Sequence, residues 1–119
     1  MEPLRWVLYI LEADGDAAGM GALKRLDDET GEIKRMYIRP QYRVKGYGKK
    51  MLNRLLTDGG EMGCSTFRLD TPRWAHAAQH LYRSAGFREM EPYPESEVPP
   101  MLQPYWIWME RTSSNPTQA

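Results

Sequence analysis

The sequence has little of what marks a disulfide-rich or membrane-spanning protein. Cys64 is the single cysteine among 119 residues, which excludes an internal disulfide and a cysteine-based metal framework and fits a reducing compartment. The apolar stretch of residues 4–11 is interrupted by Arg5, is too short to span a bilayer, and runs into Glu12 without a small-residue cleavage site. We therefore expect a soluble, cytoplasmic protein in which Cys64 is a buried structural thiol.

The chain as a whole also lacks a net charge. Sixteen lysines and arginines balance sixteen aspartates and glutamates, which argues against a globally basic nucleic-acid-binding protein. A chain of 119 residues fits one domain with one hydrophobic core. We assign residues 1–111 to this domain and predict that residues 112–119 form a disordered tail.

The balance of charge breaks down within residues 33–57. Eight of the sixteen cations lie there and no acid does. A predicted strand is joined to a predicted helix there through Arg43-Val44-Lys45-Gly46-Tyr47-Gly48. Glycines at such a turn let backbone N–H groups approach an anion closely, and the N-terminus of the helix adds free donors and a positive dipole end. We call residues 43–49 the basic turn and predict that it binds phosphate.

Periodicity and turn residues predict the elements around the basic turn. Strand-forming residues and turn signals predict strands over residues 4–12, 19–26 and 32–38. Helical spacing of apolar residues begins at Tyr47 and is ended by the glycines at 59, 60 and 63. A strand over residues 66–70 follows, and because a helix separates it from residues 32–38 we predict a parallel βαβ unit.

The C-terminal part is predicted to contain a helix, two strands and a long loop. The helix covers residues 73–85, with Gly86 as a left-handed cap, and a strand covers residues 87–90. Residues 91–104, which we call the proline-rich loop, carry five prolines and three glutamates and are predicted to be irregular and functional. The strand of residues 105–110 is apolar on both faces, which predicts burial on two sides or a contact with a partner chain.

The basic turn is part of a longer pattern that resembles a known family. Arg-x-x-Gly-x-Gly follows a strand with an acidic start, opens a helix, and is followed thirty-four positions later by Tyr82 within Leu81-Tyr82-Arg83-Ser84-Ala85-Gly86-Phe87. This combination resembles the GNAT superfamily of acyl-CoA-dependent N-acyltransferases over roughly residues 5 to 110. The resemblance implies an α/β fold: a mixed sheet with a central antiparallel hairpin, a βαβ coenzyme-binding unit and C-terminal strands.

The resemblance also implies where acetyl-CoA binds as cosubstrate. The strand of residues 32–38 would splay from that of residues 66–70, and the pantetheine arm would lie in the gap. The strand backbone and the basic turn would then hold the coenzyme through Met36, Tyr37, Ile38, Arg43, Val44, Lys45, Gly46, Tyr47, Gly48 and Lys49.

Two catalytic side chains are implied in the same way. Tyr82 matches the tyrosine that protonates the departing thiolate, and Glu32 stands where some histone-acetylating members carry their general base. An amine must lose a proton before it attacks a thioester, and a phenol with a pKa of about 10 is protonated at neutral pH, so these residue types fit the chemistry. Glu12, Glu89 and an acid of the proline-rich loop remain open as bases.

Each assignment has a structural alternative. The cations could form a solvated helix face, Tyr82 could be a packing residue, and Glu32 could be an exposed strand end. His76 and His80 have a zinc-binding spacing, but the glutamate of the zinc-protease motif is missing. We therefore predict no metal.

The sequence departs from the family pattern in two places. Trp74-Ala75-His76 stands where many members carry an asparagine, and the strand and helices that usually precede the first hairpin are missing. The acceptor side would then be open, formed by the proline-rich loop, or completed by another subunit. The doubly apolar last strand favours a homodimer among these arrangements.

The predicted function is N-acetyltransferase activity, with direct transfer of acetyl from acetyl-CoA to a primary amine in a ternary complex. The acidic proline-rich loop predicts a cationic acceptor, such as a polyamine, a lysine-bearing peptide or an aminoglycoside. The alternative is a non-catalytic GNAT-like module that binds acyl-CoA or serves in an assembly. Binding of a nucleic-acid backbone is a weaker alternative because the rest of the chain is acidic, and no membrane partner is expected.

Overall fold

Within the residues that the structure describes, the fold is one six-stranded sheet with two α-helices. A computed structural model describes residues 5–113, and the strand order within them is β1-β2-β3-β4-β6-β5. Only β3 and β4 pair in parallel, whereas the other neighbours are antiparallel. The elements are β1 (Trp6–Ala13), β2 (Asp16–Arg25), β3 (Thr30–Ile38), α1 (Tyr47–Glu61), β4 (Thr66–Pro72), α2 (His76–Ser84), β5 (Arg88–Met90) and β6 (Trp106–Thr112). The predicted α/β mixed sheet, with its antiparallel hairpin and βαβ unit, is confirmed.

Helix α1 covers one face of the sheet. Its buried side chains Met51, Leu52 and Leu55 belong to the hydrophobic core. Contrary to the prediction, the helix continues through the two glycines at 59 and 60 and ends at Glu61. A Cβ atom on Gly59 would lie 2.5 Å from Cε1 of Phe67, so glycine at this position lets the helix approach β4 closely.

The C-terminal half differs from the prediction in two elements. Helix α2 begins at His76, not at residue 73. Before it, the Arg73 N–H donates to the Tyr105 carbonyl (2.9 Å) and the Ala75 N–H donates to the Pro72 carbonyl (3.1 Å), so the chain leaves β4 through a turn. The proline-rich loop is not wholly irregular, since Pro100–Tyr105 forms a 3-10 helix. The φ angle that proline imposes lies within the 3-10 range, so the prolines favour this helix.

Strand β6 lies inside the sheet, between β4 and β5. Its central residues Ile107, Trp108 and Met109 are buried by the chain itself, so the two apolar faces need no partner. The homodimer predicted from this strand loses that support and stays a prediction. β6 also includes Thr112, so the predicted tail begins too early, and residues 114–119 lie outside the described residues.

Two expectations from the composition can be compared with the fold. Cys64 is buried in the core, and burial raises the pKa of its thiol, as expected for a structural cysteine. Among residues 5–113, no helix is both long enough and apolar enough to cross a bilayer.

Candidate active site

A gap opens in the sheet where β3 and β4 diverge. Their parallel pairing is limited to Thr30–Thr66, Gly31–Phe67 and Glu32–Arg68. Further along β3 the backbone bulges: Arg35 has a φ of 56° and the register with β2 shifts. A cavity of about 460 Å³ lies in the gap. The two strands therefore separate in the way that the family resemblance implied.

The cavity is walled from three directions. Strands β3 and β4, which we call the floor, helix α2 and the proline-rich loop all contribute to its lining. The lining includes Lys34, Arg35 and Met36 of β3, Asp70 of β4, Ala78 and Tyr82 of α2, Glu97, Val98, Pro99 and Leu102 of the loop region, and Trp106 of β6. The loop thus supplies one side of the cavity from within the chain.

The basic turn leads directly into α1. Gly46, the N-cap, has a left-handed φ of 83°, and a Cβ atom there would meet no atom within 4 Å. Arg43, Lys45 and Lys49 are exposed, and within residues 5–113 none of them forms a salt bridge with a carboxylate. Free helix N–H donors and uncompensated cations therefore lie side by side, an arrangement suited to an anion.

Arg43 also ties the turn to the end of β3. Its Nε donates to the Ile38 carbonyl at 2.7 Å, and its guanidinium lies 5.4 Å from the centre of the Tyr37 ring. The Ile38 carbonyl therefore already has a partner inside the chain. Of the three β3 residues assigned to pantetheine, Met36 lines the cavity, and the other two continue the strand toward the turn.

The other residues assigned to the basic turn differ in their surroundings. A Cβ atom on Gly48 would lie 3.4 Å from Leu81 of α2, an ordinary contact distance, so the start of α1 lies beside α2 at this glycine. Tyr47 is half-buried, with its ring 6.3 Å from that of Tyr42. Val44 is fully exposed and has a positive φ of 62°.

Tyr82 is both a packing residue and a cavity residue. Its side chain is only 6% exposed and contacts Phe87 edge to face, with 5.9 Å between ring centres. It also lines the cavity. Burial, with a smaller contribution from the charge of Asp70, raises the pKa of Tyr82 to about 12. The phenol is therefore protonated at neutral pH.

Glu32 is not an exposed strand end. Its side chain is 1% exposed, and its Oε2 accepts a hydrogen bond from the Tyr93 hydroxyl at 2.6 Å. Its Oε1 lies 3.7 Å from Lys34 Nζ and has no hydrogen-bond partner among the described residues. Burial raises the pKa of the Glu32 carboxyl, against the opposing effects of Tyr93 and Lys34. Glu32 is not among the residues that line the cavity.

Asp70 is a cavity acid that the sequence analysis did not single out. It lies on β4 beyond the last pair with β3, and its Oδ1 accepts a hydrogen bond from the Trp106 indole at 2.9 Å. Burial raises the pKa of its carboxyl, and its charge in turn raises the pKa values of Tyr82 and Glu32. The signal that could have found it is an acid at the carboxyl end of a strand in a βαβ unit, where ligands bind in open α/β sheets.

The two histidines of α2 show no metal-binding arrangement. His76 and His80 are both exposed. Across residues 5–113, no group of three or more His, Cys, Asp and Glu side chains could hold a metal ion. The expected absence of a metal stays a prediction.

Comparisons of sequence point to one family. Residues 2–87 match the model of the Acetyltransferase (GNAT) family. The uncharacterized N-acetyltransferase YsnE of Bacillus subtilis is 37% identical over 83 residues, which cover 67% of this chain and 55% of that protein. The thialysine N-epsilon-acetyltransferase of Sus scrofa is 34% identical over 55 residues, covering 46% of this chain and 32% of that protein. The chain thus spans about half, or less, of the length of these curated relatives.

Comparisons with solved structures agree with the sequence comparisons. A Klebsiella pneumoniae protein provisionally assigned as an acyl-CoA N-acyltransferase superposes with a TM-score of 0.83 and 29% identity, covering 96% of this chain and 77% of that one. The PaiA N-acetyltransferase from Thermoplasma acidophilum, solved in complex with coenzyme A, shares the fold at a TM-score of 0.76 and 22% identity, with 92% and 62% covered. With the family match over most of its length, this chain belongs to the GNAT acetyltransferase family.

Proposed function

We propose that this domain transfers an acetyl group from acetyl-CoA to a primary amine by direct attack in a ternary complex. The observation that carries the proposal is the position of the uncompensated basic turn. Arg43 ties the turn to the end of β3, and β3 residues Lys34, Arg35 and Met36 line the cavity between β3 and β4. The turn offers donors and charge for a diphosphate, and the cavity offers an elongated arm a path to Tyr82 and Asp70. Family membership supports the class of reaction.

The residues of the basic turn and of β3 fit acetyl-CoA, the acetyl donor. Gly46 leaves open space beside the start of α1, so the diphosphate would lie against the free N–H groups of the helix with Lys45 and Lys49 nearby. Arg43 would contribute charge while it holds the turn to β3. The pantetheine arm would then follow β3 past Ile38, Tyr37 and Met36 into the gap, and the remaining turn residues Val44 and Tyr47 would flank the phosphates.

Two carboxylates compete for the role of general base. An ammonium group has no free lone pair, so a base must remove a proton before the amine nitrogen attacks the thioester carbonyl. Glu32, the base expected from the sequence, lies outside the cavity lining and is engaged by Tyr93. Asp70 lines the cavity, and burial raises the pKa of its carboxyl toward the range that suits a base at neutral pH. We therefore favour Asp70.

The other groups of the cavity would complete the transfer. Attack on the carbonyl builds negative charge on its oxygen, and a β3 N–H at the bulge near Met36 is our candidate for stabilising that charge. The C–S bond then breaks as the tetrahedral intermediate collapses, and the departing thiolate takes a proton. Tyr82, whose pKa of about 12 keeps it protonated at neutral pH, is the proposed donor.

The charges that remain unpaired near the cavity limit which acceptors the site can bind. Glu97 of the proline-rich loop pairs with Lys34 and lies 3.9 Å from Lys24, and Glu95 lies 3.9 Å from Arg68. Glu91, the third glutamate of the loop, does not line the cavity, so the loop presents less free negative charge there than its sequence indicates. Asp70 is the acid of the cavity lining that forms no salt bridge within residues 5–113. A small primary amine or a lysine-bearing peptide fits, and the thialysine acetyltransferase relative supports an amine of the lysine type.

Release of coenzyme A thiol from acetyl-CoA, measured across a panel of amines, tests this proposal. We expect release that depends on one class of amine and equals the amount of acetylated product. Thermal shift with acetyl-CoA in the same buffer separates the alternative, because a bound ligand raises the melting temperature by mass action. A shift without thiol release for any amine would favour the non-catalytic acyl-CoA-binding module, and a shift with an oligonucleotide alone would favour nucleic-acid binding. The homodimer and the cytoplasmic location are carried forward as proposals to be tested beside it.

A further inference from the structure

The proline-rich loop is fastened to the sheet by a buried contact. Tyr93 is 4% exposed and Glu32 is 1% exposed, and the Tyr93 hydroxyl donates to the Glu32 carboxylate at 2.6 Å. A hydrogen bond to a charged acceptor is stronger than a neutral one, and its loss in the interior leaves a buried group without its partner. The loop is therefore attached at one point to the part of β3 that still pairs with β4.

Further contacts surround this point and follow the loop toward the cavity. The Arg68 guanidinium lies 5.5 Å from the centre of the Tyr93 ring. The Trp108 indole donates to Ser96 Oγ at 2.8 Å. Lys34 lies between the buried contact and the cavity. Its Nζ is 3.7 Å from Glu32 Oε1 and also pairs with Glu97. One cation thus links the buried carboxylate to the cavity wall.

The cavity wall begins a few residues after the fastening point. Tyr93 and Ser96 close a turn, in which the Ser96 N–H donates to the Tyr93 carbonyl at 3.0 Å. Glu97, Val98 and Pro99 follow at once and line the cavity. The position of this wall relative to the floor therefore depends on where Tyr93 is held.

We infer that Glu32 and Tyr93 are positioning residues, whose buried hydrogen bond holds the proline-rich loop so that residues 97–102 form the acceptor-side wall of the cavity. The assignment of this wall to the acceptor side rests on the proposed function. The inference gives Glu32 a role other than proton acceptor: one oxygen is held by Tyr93, the other faces Lys34, and the residue does not line the cavity. A base needs hydrogen-bond reach to its substrate, directly or through one water.

Hydrogen exchange of Tyr93→Phe tests the fastening without any substrate. We expect amides of residues 91–104 to exchange about tenfold faster than in the natural protein, since a hydrogen bond to a charged group is lost, while α1 keeps its protection. Tyr105→Phe is the matched control, because it removes a phenol at the end of the same region from a side chain that is 58% exposed. Unchanged exchange of residues 91–104 in Tyr93→Phe would overturn the inference.

Steady-state kinetics of the same variant separate positioning from general damage. For Tyr93→Phe we expect the KM for the amine to rise about fivefold, with kcat and the KM for acetyl-CoA changed by less than about twofold, because only the acceptor wall is loosened. An equal rise in the KM for the amine and in the KM for acetyl-CoA would contradict a role in positioning that wall.

Glu32→Gln distinguishes the two roles of this residue. The amide oxygen can still accept from Tyr93, although less strongly than a carboxylate, but the side chain cannot take up a proton. We therefore expect the exchange of residues 91–104 to rise less than in Tyr93→Phe, kcat/KM to stay within about threefold of the natural value, and the acidic limb of the pH profile to be unaltered. A loss of about a hundredfold or more in kcat with the same small change in exchange would identify Glu32 as the base instead. If no amine is acetylated by the natural protein, the proposed function fails, whereas exchange of the two variants still decides the fastening.

Discussion

The basic turn and the proline-rich loop each carry one sign of charge in the sequence, but the fold treats them in opposite ways. Lys45 and Lys49 of the turn are exposed and form no salt bridge within residues 5–113. Glu95 and Glu97 of the loop are each within 4 Å of a cation from the sheet. Charge in a segment becomes charge for a ligand only where the fold leaves it unpaired, which favours the turn as an anion site and weakens the loop as a cation site.

The comparison is sharpened most by Asp70, an acid of the cavity lining that forms no salt bridge in the part of the chain that the structure describes. Asp70→Asn should lower kcat/KM about a hundredfold, because the amide keeps the oxygen that accepts from Trp106 but cannot take a proton. In the natural protein kcat/KM should rise with pH as Asp70 deprotonates, at a pH above the ordinary carboxyl range, because burial raises its pKa. The variant should lose this limb. Undiminished turnover of Asp70→Asn would remove Asp70 from the mechanism.

Reversal of the unpaired cations should give the next largest effect. The double substitution Lys45→Glu and Lys49→Glu should weaken coenzyme A binding about thirtyfold, as expected for about 1 kcal/mol per reversed charge near a phosphate, and the effect should shrink with added salt. The double substitution Arg83→Glu and Arg88→Glu, at two exposed arginines of α2 and β5, is the matched reversal away from the turn and should change the Kd little. Equal weakening by both variants, measured by calorimetry, would show a general charge effect and not a site.

The backbone of the turn can be tested against a matched glycine. Gly46→Ala should lower the free energy of unfolding by about 1 kcal/mol, because alanine is strained in the left-handed region. Gly60→Ala in α1 has equally open space and no positive φ, so it should raise stability by about 0.5–1 kcal/mol. Urea unfolding of both variants measures the difference. A Gly46→Ala protein as stable as Gly60→Ala would mean that the turn does not need glycine for its conformation.

The smallest effect is expected where an acid is already paired. Glu97→Gln should change the KM for the amine by less than about threefold, since an exposed ion pair is worth little and its carboxylate is engaged by Lys34. A rise of tenfold or more in this KM would contradict the contrast between the two regions. It would show that the loop acids attract the acceptor although they are paired with cations.

These two regions also show what the sequence could predict. The features of the basic turn are local: a strand end, two glycines and the start of an amphipathic helix lie within a few residues. The pattern could therefore predict the conformation, whereas the phosphate ligand stays a prediction. The order of β3, α1 and β4 followed from the same local signals. The gap could be expected only from the family resemblance.

The proline-rich loop could not be predicted in this way because its contacts join distant residues. Tyr93 meets Glu32 across 61 positions, and no spacing rule reports such a pair, so Glu32 was interpreted as a base or an exposed strand end. The apolar faces of β6 were interpreted as an interface because its insertion between β4 and β5 is a tertiary event. Asp70 carries a sequence signal, its place at the carboxyl end of a strand in the βαβ unit, but its burial and its position at the gap become visible only in the folded chain.

Calorimetric titration with coenzyme A and with pantetheine, on the same folded protein, tests the central claim most directly. Pantetheine carries the thiol arm but lacks the diphosphate, so a site that depends on the basic turn must distinguish the two. We expect saturable one-site binding of coenzyme A below millimolar concentration and at least about tenfold weaker binding of pantetheine, a difference of 1.4 kcal/mol or more. No saturable heat with millimolar coenzyme A, or equal affinity for both ligands, would contradict the account.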